Sequence, residues 1–247
     1  MIYKTRGIIL RSNFFSETSK NISLLSENFG KIQLLAKGAL RPKSPFAGQL
    51  EIFCYGNFIY QKNQKNDTNT LLECDIISFF RNLREDYNKF FYTNYIIETI
   101  AAIVQFTEES KKIFRLVLNI LQNLNISPKE EMDTLLRFFE VKLLYFLGFL
   151  PSFNYCDNCN APFTGNFWLD LNSAQLICNH CHIITLSSLA ISIDIAKIIA
   201  IINDKDLKIL LSLKLSLKQK KQLENILRIL LDFHLEKKLE SQVFLRK

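Results

Sequence analysis

Four cysteines constrain this chain more than any other feature. Cys156 and Cys159 are separated by two residues, as are Cys178 and Cys181, and 18 residues lie between the two pairs. Two cysteines three apart on a tight turn can aim both thiols at one ion, so each pair supplies two corners of a tetrahedron. Thiolates are soft donors and favour zinc over calcium or magnesium. Four of them close the coordination sphere and leave no position for water, which points to a structural rather than a catalytic Zn2+. Between the pairs, Phe167-Trp168-Leu169-Asp170-Leu171 and Gln175-Leu176-Ile177 read as a small hairpin that brings the two turns together. His180 and His182 flank Cys181. They are either alternative ligands or, beside a complete four-thiolate set, exposed neighbours and outer hydrogen-bond partners. Thioredoxin-like redox chemistry lacks its βαβ context around either pair. Cys54 and Cys74 fall on expected strands as ordinary buried residues.

The rest of the composition narrows the setting. The 247 residues suit one or two domains, and 48% of them are hydrophobic, enough for a real core. A formal charge of +7 suits a polyanionic partner, or simply a soluble basic protein. Lys4 and Arg6 interrupt the first residues and no apolar signal region follows them. Leu143–Leu150 is only core-helix length, and Asp194 and Lys197 interrupt Leu189–Ile202, so no membrane span is expected. The expected location is the cytoplasm, where the thiols stay reduced. The 21 Phe accompany many Ile, Asn and Lys, all with A/T-rich codons, so they do not by themselves report a base-stacking surface.

The pattern along the chain predicts an α+β protein. Short apolar segments at Tyr3–Arg11, Asn21–Leu25, Lys31–Lys37, Leu50–Tyr60 and Leu71–Ser78 read as five strands, with Glu27-Asn28-Phe29-Gly30 as a hairpin turn. Five strands at this length suit a small closed barrel, best the OB-fold, because closure leaves no edge. Gln61–Thr70 reads as a polar loop. The period then becomes helical, with Leu83, Tyr87, Phe90 and Phe91 as one stripe of a helix reaching Ala102. Thr107-Glu108-Glu109 reads as a helix start. Ser127-Pro128-Lys129-Glu130 reads as a capping box for a helix running to Leu147, with Gly148 and Pro151 at its end. Further helices are expected over about Ser188–Ile202 and from Ser216 to about Leu239. The expected domains are an OB-fold over 1–79 and an all-helical domain over 80–247, with an inserted four-cysteine zinc ribbon at about 153–184.

Between Arg11 and Lys43 there are six basic residues, including Lys31, and only two acidic ones, Glu17 and Glu27. The densest stretch, Ala36-Lys37-Gly38-Ala39-Leu40-Arg41-Pro42-Lys43-Ser44, follows an expected strand. Cations leaving a rigid barrel edge can neutralise phosphates, and Gly38 lets the backbone come close. Arg11, Lys20, Lys37, Arg41 and Lys43 are therefore the candidate nucleic-acid phosphate contacts; a solvated loop without a partner is the plainer reading. Phe53 and Tyr55 are candidates either for base stacking or, as alternating strand residues, for the core. No paired carboxylates or Ser/His/Asp arrangement suggests catalysis. His234, beside Asp232 and Glu236, reads as part of a solvated helix face.

These residues resemble a known family. Gly7-Ile8-Ile9-Leu10, Ser16-Glu17-Thr18-Ser19, Phe29-Gly30-Lys31 and the Lys37–Ser44 stretch are similar, in order, to the N-terminal motifs of RecO, the bacterial recombination mediators. Leu150-Pro151 ahead of the first cysteine pair, and His234-Leu235-Glu236-Lys237-Lys238-Leu239-Glu240-Ser241 near the end, extend the likeness. Asn160 stands where the family commonly has Gly after the first pair, and Ser173-Ala174 where a Gly pair usually turns the hairpin. The resemblance implies binding of single- and double-stranded DNA and annealing of complementary strands without covalent chemistry. It also implies partnership with RecR and with the acidic tail of single-stranded DNA-binding protein, loading of RecA as an indirect result, and association with the nucleoid. An RNA-binding or ribosome-associated zinc-ribbon protein is the alternative that the residues leave open.

Overall fold

The computed structural model of the protein describes residues 1–63, 68–103, 109–183, 188–212, 215–235 and 239–241. The chain divides into two compact units, Met1–Lys129 with Leu239–Lys247, and Glu130–Lys238.

In the first unit, β1 (Ile2–Phe14), β2 (Lys20–Ser26), β3 (Gly30–Ala36), β4 (Tyr55–Gln61) and β5 (Thr68–Ser78) close a barrel in the order β1-β2-β3-β5-β4. β3 and β5 run parallel and the other pairs antiparallel, the connectivity of an OB-fold. Ile9, Ile22, Leu24, Leu34, Phe58 and Leu71 point inward, and the pleat sends their neighbours outward. The β2–β3 turn falls where expected: the Ser26 hydroxyl accepts from the backbone of Asn28 and Phe29 at 3.3 and 3.2 Å. Glu27 takes a two-point ion pair from Arg6 at 2.8 and 2.9 Å.

The strand expected from Leu50 begins only at Tyr55. Phe53 adopts a left-handed φ of 70° and reverses the chain just before it. Its ring is fully buried, 5.9 Å from that of Phe90, and the ring of Tyr55, itself buried, lies 6.2 Å from that of Phe114. Both aromatics are core residues, so neither is available to stack a base.

Three helices complete the described part of this unit: α1 (Arg81–Glu85), α2 (Tyr87–Ile103) and α3 (Ser110–Ile126). The apolar stripe up to Ala102 predicts a single helix, but Asp86 is extended and its carboxylate accepts from the Lys89 backbone at 3.0 Å. An Asp offering itself as a cap starts a new helix there. Thr107 and Glu108, the expected start of the next helix, lie outside the described residues; α3 follows Glu109. Ile113, Phe114, Val117, Ile120, Leu121 and Leu124 form its buried stripe, and it packs on β2 and β3. Near the C-terminus, the Glu98 carboxylate on α2 accepts the backbone N–H groups of Glu240 and Ser241, each at 2.9 Å.

The second unit opens with α4 (Lys129–Phe146). Its end lies where Gly148 predicts: Gly148 and Phe149 donate back to Tyr145 and Leu144 at 3.1 and 2.8 Å, a Schellman closure. A three-stranded sheet follows, ordered β7-β6-β8, from β6 (Phe167–Asp170), β7 (Leu176–Cys178) and β8 (Ser188–Ile191). β8 corrects the helix expected from Ser188. The free edge of β6 offers a ladder to Ser188–Ile191, and tertiary pairing overrides the helical preference of Leu and Ala there. The helix starts only after Ser192, as α5 (Ile193–Asp204). The short α6 (Leu207–Leu211) has no counterpart in the sequence reading. α7 (Leu217–His234) begins with a full capping box between Ser216 and Gln219. It stops at Leu235, short of the expected Leu239, and Glu236, Lys237 and Lys238 lie outside the described residues.

Candidate metal centre and basic barrel loop

The hairpin of β6 and β7 performs the task its sequence suggests. Phe167 pairs with Cys178 and Leu169 with Leu176, which fixes the start of the second cysteine pair on the sheet. The first turn is fastened to the sheet twice, because the Asp157 N–H donates to Leu176 O at 2.8 Å and the Asp157 carboxylate accepts from Leu176 N at 2.7 Å. Backbone bonds from Asn160 to Cys156 at 2.9 Å and from Cys181 to Cys178 at 3.1 Å close the two cysteine turns.

All four sulfurs consequently lie within 4.8 Å of one another. Cys159 Sγ and Cys178 Sγ are 3.8 Å apart. A tetrahedron with metal–sulfur bonds of about 2.3 Å has edges of about 3.8 Å, so this pair already has the spacing of two ligands. Cys156 is buried, and burial alone would push its thiol up. Backbone N–H groups aimed at the sulfur, Cys178 N at 3.3 Å among them, outweigh that and bring it down to about 6. Cys181 is pushed up to about 12, chiefly by its hydrogen bond with Cys159, with burial second. Several thiols competing for negative charge at one point form a site that a cation would relieve. The group can hold a metal ion through Cys156, Cys159, Cys178 and Cys181.

Both neighbouring histidines stand outside this sulfur group. His180 is exposed. His182 stacks on Trp168 at 4.0 Å and an interplanar angle of 4°, and its Nε2 lies 2.9 Å from Ser188 Oγ. Trp168 in turn donates to Asn179 Oδ1 at 2.9 Å. Sequence reasoning missed this polar and aromatic brace, although Trp168 is the chain's single tryptophan and lies between the two cysteine pairs. His234 is not simply solvated: it stacks on Phe149 at 3.9 Å, and burial lowers its pKa.

The basic candidates occupy one end and one face of the barrel. Residues 37–49 form a chain of tight turns, with backbone bonds Arg41→Gly38, Ser44→Arg41, Ala47→Ser44 and Gln49→Phe46 at 3.0–3.2 Å. Ala39, Phe46 and Leu50 anchor the loop in the barrel core. Lys37, Arg41 and Lys43 remain exposed, and among the described residues none of them has an ion-pair partner. Gly38 has φ +69°, and the Arg41 side chain runs past it, 3.5 Å from where a Cβ would stand. The loop is also tied to the β1–β2 turn: Leu40 N donates to Thr18 O at 3.0 Å and Gly38 N to Ser19 Oγ at 3.4 Å. Two motifs about 20 residues apart thereby form one edge.

Lys20 differs from the other candidates. Its ammonium meets Glu51 at 3.1 Å and its side chain is only 15% exposed, so its charge is already matched. Arg11, exposed on β1, lines a polar cleft of about 290 Å3 with Asn13, Asn21, Ser23, Lys31 and Gln33. Lys31 donates to Ala101 O at 2.6 Å; burial and then the Arg11 charge lower its pKa. Nothing in the sequence separates Lys31 from its basic neighbours, because its place in this cleft is set by the pairing of β3.

Comparison with known proteins now decides the family. The model for the N-terminal domain of recombination protein O matches residues 1–80, and that for its C-terminal domain matches residues 84–242. The chain belongs to the RecO family. It is 28% identical to the DNA repair protein RecO of Caldicellulosiruptor saccharolyticus over 97% of this chain and 94% of that one. Against the RecO of Alkaliphilus metalliredigens the identity is 28%, over 96% and 95%. The Bacillus subtilis RecO is 30% identical over 73% of this chain and 69% of its own. RecO membership supports a role in DNA repair and recombination. Among the described residues no helix is long and apolar enough to cross a membrane.

Proposed function

We propose that this RecO protein is a non-enzymatic mediator that binds single- and double-stranded DNA, anneals complementary strands and helps load a recombinase onto strands coated with single-stranded DNA-binding protein. The observation that carries the reading is the loop at Lys37, Arg41 and Lys43: three exposed cations, without carboxylate partners among the described residues, on a backbone anchored in a closed barrel. Such cations lower the repulsion between two phosphate chains without reading their bases. Strand pairing then needs no covalent step. The cysteine group would hold a structural Zn2+, which the four-thiolate donor set fits better than any hard cation. Its part is to hold the β6–β7 hairpin and the two cysteine turns together.

The partners named by the family resemblance are RecR, the acidic tail of single-stranded DNA-binding protein and, indirectly, RecA. For the tail, the second unit offers a small apolar pocket lined by Ile202, Leu210, Leu215 and Leu223, with Asp133, Arg137 and Lys220 beside it. Arg137 is engaged by Glu140 at 2.7 Å, which leaves Lys220 as the cation for a terminal carboxylate. Lys214, three residues before α7 in the sequence, lies outside the described residues.

The deciding experiment is annealing of complementary oligonucleotides coated with single-stranded DNA-binding protein. The protein should speed annealing, and more so at low salt. Absence of acceleration, or a preference for structured RNA over single-stranded DNA, would replace this reading with the RNA-binding alternative.

A further inference from the structure

The β1–β2 turn carries an exposed pair of rings that the phosphate reading leaves unused. Phe14 is 79% exposed and Phe15 63%. Scattered single apolar residues on a surface need no explanation; here two adjacent rings, Phe14 at the end of β1 and Phe15 at the start of the turn, are exposed together. The turn is held in shape: Phe15 N donates to Ser19 O at 2.9 Å, and Ser16 and Ser19 exchange backbone bonds at 3.3 and 3.4 Å. The rings therefore stand at the end of a strand belonging to a closed barrel.

Register places them beside the cations. Phe14 pairs with Lys20, and Lys20 pairs with Ala36, so the three form one row across β1, β2 and β3. Strands lie about 4.8 Å apart, which sets Phe14 and Ala36 roughly 10 Å from each other. Phe15 and Lys37 each continue one residue past that row, at the same end of the barrel. The bonds Leu40→Thr18 and Gly38→Ser19 then fasten the basic loop to this turn.

We propose that Phe14 and Phe15 are base-stacking residues for single-stranded nucleic acid whose phosphates are held by Lys37, Arg41 and Lys43. The inference rests on the nucleic-acid binding proposed above. A strand held by unpaired cations presents its bases within reach of the neighbouring rings, and stacking on an aromatic face is indifferent to base identity. An anionic membrane is the other surface that suits rings beside cations. It fits less well, because insertion wants a broad apolar face. Here Ser16 and Glu17 follow the rings directly, so no broad apolar face surrounds them.

The test uses the full chain, a base-bearing oligonucleotide and an abasic oligomer of equal length, with affinities measured by fluorescence anisotropy over a range of salt. Wild type should prefer the base-bearing strand. Replacing Phe14 and Phe15 together by Ala should weaken that strand about tenfold or more. Affinity for the abasic strand and the salt dependence should both stay where they were. Phe15→Trp should keep the preference, whereas Phe15→Leu, which keeps apolar volume without a ring, should lose part of it. Equal affinity of wild type for the two strands, or an unchanged preference in the Ala variant, overturns the inference while leaving phosphate binding intact. Loss of binding to anionic vesicles on Phe→Ala substitution, with base preference unchanged, overturns it in favour of a membrane. No binding of either oligomer by wild type sinks the underlying reading as well.

Discussion

The cysteine group and the basic loop organise side chains in opposite ways. Four sulfurs converge until all lie within 4.8 Å, and two backbone turns, a hairpin and the carboxylate of Asp157 keep them there. Lys37, Arg41 and Lys43 diverge from a loop whose apolar residues, Ala39, Phe46 and Leu50, do the anchoring. A convergent site directs its geometry at one small ion and returns free energy to the fold. A divergent one leaves its charges unmatched, and under the proposed function they are matched only when an extended polyanion arrives. Stability should therefore be sensitive at the first region and binding at the second.

The largest expected effect follows from the first half of that contrast. Cys178→Ser removes one of the four sulfurs that could hold a metal ion, and one of the two that already stand 3.8 Å apart. Structural zinc contributes folding free energy of about 10 kcal/mol in small zinc-dependent peptides, so even part of that would be felt here. The variant should give much less folded protein, while the fraction that folds keeps most of its DNA affinity. Elemental analysis of protein purified without a metal-binding tag should find one zinc per chain in wild type. Wild type that holds no zinc and melts normally would end the distinction between the regions.

Next in size is replacement of Lys37, Arg41 and Lys43 by Ala. Each phosphate that is no longer neutralised should flatten the dependence of log K on log salt by about 0.7 on single strands, so the triple variant should lose about two units of slope. Its stability should shift by about 0.5 kcal/mol or less, as is usual for exposed loop positions. Lys20→Ala offers an internal control. Because Glu51 already matches that charge, its effect on the slope should be smaller than that of Lys37→Ala. Salt titrations of the three variants check all of this. Equal slopes for wild type and triple variant would leave the loop a mere solubility device, and a larger effect at Lys20 would mean that Glu51 is displaced when DNA binds.

The same contrast explains what could be read from sequence. Metal chemistry demands one rare residue type at fixed spacing, so Cys156, Cys159, Cys178 and Cys181 were legible as a set. The five strands and the α4 start and stop were legible for a similar reason: apolar alternation, Ser-Pro before a helix and Gly after it each have a local physical cause. What escaped were long-range choices. Ser188–Ile191 has a helical pattern and became a strand because β6 had a free edge. Lys20 looks like its basic neighbours until the fold brings it to Glu51, 31 residues away. Phe53 and Tyr55 are buried, while Phe14 and Phe15 stand in solvent. One local clue did exist for the latter pair: two consecutive aromatics at a strand end cannot both face inward when side chains alternate.

The smallest predicted effect tests how tightly the convergent site is built. Asn160 and Ala174 both adopt left-handed backbone, with φ of 56° and 55°. These are the turn after Cys156-x2-Cys159 and the loop between β6 and β7, the two places where the resemblance to RecO leads one to expect Gly. The residues are not equivalent there. Asn tolerates left-handed φ because its short polar side chain bonds locally, whereas Ala sets its Cβ against the carbonyl oxygen at a cost of roughly 1–2 kcal/mol. Gly removes that clash but gains freedom in the unfolded chain, which offsets roughly 0.5–1 kcal/mol. Ala174→Gly should thus stabilise the metal-loaded protein by about 0.5 kcal/mol, and Asn160→Gly should change it by less. Ala174→Val, with a branched Cβ in the same conformation, should destabilise it instead. Near this chain length 1 kcal/mol moves Tm by about 2–4 °C, so careful calorimetry can separate the variants. None of the three should alter the salt dependence of DNA binding. If Ala174→Gly lowered Tm, the hairpin turn would not be held in its left-handed form. If it changed the salt slope, the cysteine hairpin would touch the phosphates directly, and the division of labour between the two regions would fail.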